Sequence, residues 1–165
     1  FLIAQQFIYL HRHHIMAGYF SRQELESFFI AIQGVCDPNF KAESVLGEGV
    51  APEVLKGLSE LQSSIEKTAT PKQLEQLRQA FSNYAGQARP QSVENWLREV
   101  ELSANHAAIL ASDDIELAGR ILKEMSSAES VLSAPERLKD LVLFATSNRY
   151  TTLRESLGMQ VEGDA

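Results

Sequence analysis

Gln91-Ser-Val-Glu-Asn-Trp96-Leu-Arg-Glu-Val100-Glu-Leu-Ser-Ala104-Asn-His-Ala107-Ala-Ile-Leu-Ala111-Ser112 is the stretch that decides the fold. Val93, Trp96, Leu97, Val100, Ala104, Ala107, Ala108 and Ala111 recur three and four residues apart. That spacing keeps one face of an α-helix apolar over about five turns. Pro90 introduces the helix, which is expected over about residues 91–112. The second half of the face is alanine, which lets a neighbouring helix approach closely. The helix is therefore expected in the centre of the fold.

Working outward, helix starts repeat. Ser21-Arg-Gln-Glu24, Thr70-Pro-Lys-Gln73 and Ser133-Ala-Pro-Glu136 each match the capping box. In that motif a hydroxyl accepts from an otherwise orphaned amide, and the acid or amide three residues on reaches back. The first box opens a helix with Leu25, Phe28, Phe29, Ile32 and Val35 on one face, ended by Asp37-Pro38. The second leads Leu74, Leu77, Phe81 and Tyr84 to a stop at Gly86, and the third leads Leu138, Leu141, Val142 and Ala145.

Pro52 suits the first turn of another helix, with the stripe Val54, Leu55, Leu58, Leu61 and Ile65 and a weakening Gly57. Asp113-Asp114 opens a helix carrying Ile115, Ala118, Ile121, Leu122 and Met125. A short last helix is expected near Asn148–Leu157, stopped by Gly158. Residues 37–51 read as a long loop pinned by Phe40, Val45 and Leu46, and 159–165 as a frayed tail. No segment alternates with the period of a strand. The expectation is an all-α fold: a helical bundle or stacked helical hairpins of about seven to eight helices within one domain, 1–165.

The chain has 165 residues, 44% hydrophobic, with a formal net charge of −7. That length suits one domain with a true core, and the composition is that of a globular chain. The 15 basic residues are scattered among 22 acidic ones, so a nucleic-acid backbone is not an expected partner. Apolar runs such as Phe28–Ile32 span five residues, far short of the roughly 20 of a membrane span. Cys36 is the only cysteine, which excludes an internal disulfide and favours a reducing, cytoplasmic setting.

The chain starts at Phe1, and Phe1 to Leu10 already reads as an apolar helix in mid-course. The expectation is a piece of a longer polypeptide. Phe1, Ile3, Phe7 and Ile8 then form an apolar face for a protein partner or for the upstream part of the same chain. Gln5 and Gln6, set among these apolar residues, are expected to face that missing segment.

No complete catalytic or cofactor motif is present, and no cofactor is expected. His11, His13 and His14 are the nearest to a metal cluster: His11 and His14 share a face if the segment is helical. Zinc needs three or four ligands, and the rest would come from His106, Glu24 or Glu26. The plainer reading is a solvated helix end, where imidazoles suit the terminal carbonyls. Cys36 lies at a helix C-terminus, which opposes thiolate formation. Asp113, Asp114 and Glu116 read as helix caps rather than cation ligands. Gly47-x-Gly49 lacks the remainder of a phosphate loop. Arg149, Tyr150 and Arg154 read as packed stems with hydrated charges, the alternative being an acidic partner. Trp96 reads as core, or with Phe81 and Tyr84 as the lining of a small-molecule pocket.

Tyr9-Leu-His-Arg-His-His14, Ala107-Ala-Ile-Leu-Ala-Ser-Asp-Asp-Ile-Glu-Leu-Ala-Gly-Arg-Ile-Leu122 and Leu141-Val-Leu-Phe-Ala-Thr-Ser-Asn-Arg-Tyr150, continued by Leu153-Arg-Glu-Ser-Leu-Gly158, carry a resemblance. They resemble the C-terminal helical region of large bacterial tetratricopeptide-repeat proteins of uncharacterised function. The likeness covers about the first 35 and the last 60 residues and leaves 40–90 unmatched. It implies a non-enzymatic domain attached to interaction repeats and carries over no catalytic residue. The chain itself shows no repeat signature. Three function classes follow: an interaction or scaffold domain, a metal-dependent enzyme or sensor built on His11, His13 and His14, and a small-molecule-binding helical regulator.

Overall fold

A computed structural model describes residues 1–47, 49–87, 92–124 and 130–159. Among these residues the fold is all-α, with ten helices and no strand. They are α1 (Leu2–Tyr9), α2 (Ile15–Tyr19), α3 (Arg22–Cys36), α4 (Glu43–Leu46), α5 (Pro52–Thr68), α6 (Pro71–Ala85), α7 (Val93–Ser112), α8 (Ile115–Glu124), α9 (Ala134–Ala145) and α10 (Asn148–Ser156). The sequence reads as one domain; the chain packs as two compact units. One comprises residues 1–20 and 94–165, the other 21–93.

All three capping boxes form. Ser21, Thr70 and Ser133 each accept from the amide three residues on, and Glu24, Gln73 and Glu136 return the bond to the cap amide. The bonds from Ser133 hold the Glu136 carboxyl below the usual range, and those from Ser21 do the same for Glu24. Asp114 Oδ1 accepts from Leu117 N at 2.8 Å, so the second aspartate caps α8. Met125 and Pro90, read as part of the α8 stripe and as the start of α7, lie outside the described residues, as does most of the tail.

In the 21–93 unit, α3 packs against α5 and α6. Leu25, Ile30, Ala31 and Val35 of α3 are buried with Leu58 of α5. Leu74, Leu77, Phe81 and Tyr84 are the least exposed positions of α6, as their spacing requires. Residues 37–51 are not all loop. Ser44 Oγ donates to the Lys41 carbonyl, a four-residue α4 follows, and Gly47 ends it at φ 89°, a conformation that favours glycine. One turn is too short to leave a periodic signal. Phe40 is half-buried, but Val45 and Leu46 are exposed and do not pin the segment.

In the other unit, Ile109, Ala118, Leu122, Leu141 and Phe144 form the core, with Phe1, Leu110, Ala145, Tyr150 and Leu153 packed around it. The buried face of α7 differs from the expected one. It runs Val100, Glu101, Ala104, Asn105, Ala108 and Ile109. Trp96 and Leu97 are half-buried and Ala111 is exposed. The face turns because Glu101 and Asn105 have polar partners on other helices. Gly18 lets α2 close on α1: a Cβ there would lie 3.2 Å from Tyr9 Cβ. Leu141 is fully buried, whereas Leu143, two residues on, is 62% exposed. Leu141→Ala is expected to cost about 2–5 kcal/mol through lost burial and the cavity left. Leu143→Ala should stay within about 0.5 kcal/mol. Urea unfolding of the two variants checks this.

Candidate functional site

Three polar or charged side chains are buried among the described residues: Glu101, Asn105 and Arg137. Glu101 and Asn105 stand one helical turn apart on α7, and Arg137 comes from α9. Arg137 Nη1 lies 3.4 Å from Glu101 Oε1, and Nη2 donates to the Leu122 carbonyl at 3.4 Å. Ser130 Oγ is 2.5 Å from Glu101 Oε1 and 2.7 Å from the Leu132 carbonyl. One hydroxyl proton serves one acceptor at a time. Asn105 Oδ1 accepts from Gln5 Nε2 of α1 at 2.9 Å. Asn105 Nδ2 and Arg137 Nε have no protein partner. Burial pushes the Tyr9 phenol up to about 12; the Glu101 carboxylate adds to the rise and Arg137 opposes it. Sequence reasoning missed this cluster, because a lone Glu, Asn or Arg on a helix carries no periodic signal of burial.

A second polar line crosses the same unit. His106 Nε2 meets Asp140 Oδ2 at 2.7 Å, and the imidazole stacks on Phe144 at 3.9 Å between ring centroids. Asp113, at φ 52°, accepts from Tyr150 OH and pairs with Arg154 at 2.9 Å. Arg154 also donates to the carbonyls of Leu110 and Met159. Its guanidinium is used inside the unit, tying α10 to the end of α7. Burial raises the Tyr150 phenol, with Asp113 adding to the shift and Arg154 opposing it.

His11, His13 and His14 sit in the turn after α1 rather than on a helix. The His11 carbonyl accepts from His14 N and Ile15 N. The His11 ring lies 5.1 Å from that of His13 and 5.4 Å from that of His14. His13 Nε2 accepts from Arg12 Nε at 3.0 Å, and His11 Nδ1 accepts from the His13 amide. Arg12, then burial and the two neighbouring rings, pull the His13 pKa down. Among the described residues no group of three or more His, Cys, Asp or Glu is arranged to hold a metal ion. His106, one of the further ligands considered, is engaged with Asp140.

Cys36 is half-buried at the end of α3; burial pushes its thiol up and Arg78 opposes the rise. Phe81 and Tyr84 lie in the 21–93 unit, where Tyr84 meets Phe29 edge-on at 5.1 Å. Trp96 belongs to the other unit.

The partner-face residues divide. Phe1 packs against its own core and Ile8 is half-buried, whereas Ile3 and Phe7 are 76% and 66% exposed. The helix wheel explains the split. Phe1, Ala4, Gln5, Ile8 and Tyr9 turn inward, and Leu2, Ile3, Gln6, Phe7 and Leu10 turn outward. The inward face holds the polar anchors Gln5 and Tyr9, and Gln5 bonds to Asn105 rather than facing an absent segment. The outward face has no charge and only Gln6 as a polar side chain. Ile15, Met16 and Tyr19 of α2 are exposed as well. No helix among the described residues is long and apolar enough to cross a membrane.

Compared with protein-family models, with curated proteins and with solved structures, the chain matches none of them.

Removing Arg137 leaves the Glu101 carboxylate buried without its cation. Arg137→Ala is expected to destabilise by about 3–5 kcal/mol, and replacing both partners by Met and Leu to recover most of that. Denaturant unfolding of the single and double variants checks it. The raised Tyr9 pKa adds a pH effect. The unfolded phenol ionises near 10 and the folded one near 12, so the unfolded state sheds its proton first. Stability is full below pH 10 and falls by roughly 2–3 kcal/mol between pH 10 and 12. Tyr9→Phe should flatten that fall, read from thermal melts across the window.

Proposed function

We propose that this chain is a non-catalytic helical interaction domain whose contact surface is the outward face of α1, with the exposed apolar residues of α2 beside it in sequence. One observation supports it most. Leu2, Ile3, Phe7, Leu10, Ile15, Met16 and Tyr19 are all exposed within the first 19 residues. Monomeric proteins rarely expose contiguous apolar surface beyond a few hundred Å², and larger patches mark interaction sites. The opposite face is engaged: Gln5 bonds to Asn105 and Phe1 packs on the core. The resemblance carried by residues 9–14, 107–122, 141–150 and 153–158, taken as a proposal, would make this a domain attached to interaction repeats, in keeping with the same reading.

The test is an affinity capture with the tagged chain and its Ile3→Ser/Phe7→Ser variant. Both should show the same far-ultraviolet circular dichroism, because neither side chain is buried. Proteins held through this face should be lost from the variant and retained by Leu143→Ser, whose exposed leucine lies elsewhere on the unit. Equal capture by the wild-type chain and the double variant contradicts the reading.

A further inference from the structure

We infer that the occupant of the α1–α2 face is a second copy of this chain, with the two α1 helices packed antiparallel about a two-fold axis near Gln6. The inference rests on the interaction reading above and names its partner.

Area is the first argument. At about 200 Å² for a large side chain fully exposed, Leu2, Ile3, Phe7 and Leu10 offer roughly 480 Å² per copy, about 1,000 Å² over the pair, the lower end of specific interfaces. Phe7, at 66% exposed, supplies the aromatic anchor such interfaces favour.

Charge is the second. Two copies of a chain of net charge −7 repel, and carboxylates on the touching surfaces would add close like-charge pairs to that repulsion. The first carboxylate in this sequence is Glu24, beyond both helices of the face. The outward face of α1 carries no charge of either sign, so it meets its own copy without burying an unpaired ion.

Symmetry is the third. A two-fold interface must be self-complementary. Gln6 is the midpoint of Leu2–Leu10 and the only polar side chain on the outward face of α1. Its amide offers donor and acceptor together. Across an antiparallel pair Gln6 meets the second copy's Gln6, and both amides are satisfied reciprocally. The same arrangement puts Leu2 opposite the second copy's Leu10 and Ile3 beside its Phe7. It also places the two cationic turns, each with Arg12, at opposite ends of the helix pair, where a parallel pair would set them side by side.

The experiment is sedimentation velocity of the chain across about 1–200 µM, a range that brackets the weak end of affinities for interfaces of this size. The mass should rise from 18.4 kDa toward twice that value. Phe7→Glu should hold the chain monomeric over the whole range, with Phe7→Ser as the milder substitute if circular dichroism shows that glutamate disturbs the fold. Leu143→Glu should dimerise as the parent does. In a Cys36→Ser background, a short bismaleimide should couple Gln6→Cys to its own copy. Leu2→Cys should couple efficiently only when mixed with Leu10→Cys. A monomer throughout, a dimer indifferent to Phe7, or self-coupling of Leu2→Cys equal to that of Gln6→Cys overturns the inference. If the chain is monomeric while the capture above still depends on Ile3 and Phe7, the interaction reading stands and the second copy is excluded. If neither assay depends on Phe7, both fall.

Discussion

The buried Arg137–Glu101 pair is the constraint on which the unit of residues 1–20 and 94–165 depends. It joins α9 to α7 with both side chains almost wholly out of water. The single contact of 3.4 Å is not the bidentate fork an arginine can make, and Nε is left without a protein partner. Such a pair adds little net stability over an apolar substitute, because the Coulombic gain is largely offset by desolvation. Its strength lies in being hard to break from one side. It fixes which face of α7 turns inward, since Glu101 must reach Arg137 and Asn105 then follows one turn on. Ala104 and Ala108, fully buried on the same face, keep the neighbouring backbones close.

That choice of face decides how α1 sits. Asn105 presents its carbonyl oxygen to Gln5, and Tyr9 lies in the field of Glu101 and Arg137. α1 is therefore oriented by its polar residues while Phe1 packs on the core. Leu2, Ile3, Phe7 and Leu10 are left on the solvent side. An ordinary amphipathic helix buries its apolar stripe; α1 is apolar on both faces, so one apolar face is left in solvent while Phe1, Ala4 and Ile8 turn inward. The chain from charge pair to α7 face to α1 orientation to exposed apolar surface is what connects the fold to an interaction role.

Much of the fold was legible in the sequence because its signals are local. A hydroxyl and a carboxylate or amide three residues apart make a capping box wherever they precede a helix, and all three formed. The α6 stripe was equally plain, since a single-sided helix shows its period. α2 and α4 have five and four residues, too few for a period to appear. The α7 face shifted because alanine is compatible with either side of a helix, and the polar bonds that settle the matter come from residues far away in sequence. The α1 face was ambiguous for a related reason. Apolar residues occur on both of its sides, so pattern alone includes Phe1 and Ile8 with Ile3 and Phe7. Only the contacts of Gln5 and Tyr9 separate them. The histidines follow the end of α1 at Tyr9: Leu10 N bonds back to the Gln6 carbonyl, and the His11 carbonyl then closes a tight turn with His14 and Ile15.

The orientation of α1 is the central claim, and thiol labelling tests it most directly. Single cysteines at positions 3, 7, 4 and 8, in a Cys36→Ser background and at concentrations dilute enough to keep copies apart, report which side of the helix meets water. Cysteines replacing Ile3 and Phe7 should react at the rate of a free thiol. Those replacing Ala4 and Ile8 should react more slowly, since these positions are partly shielded by the unit they face. Equal rates at all four positions, or faster reaction at 4 and 8, would contradict the account.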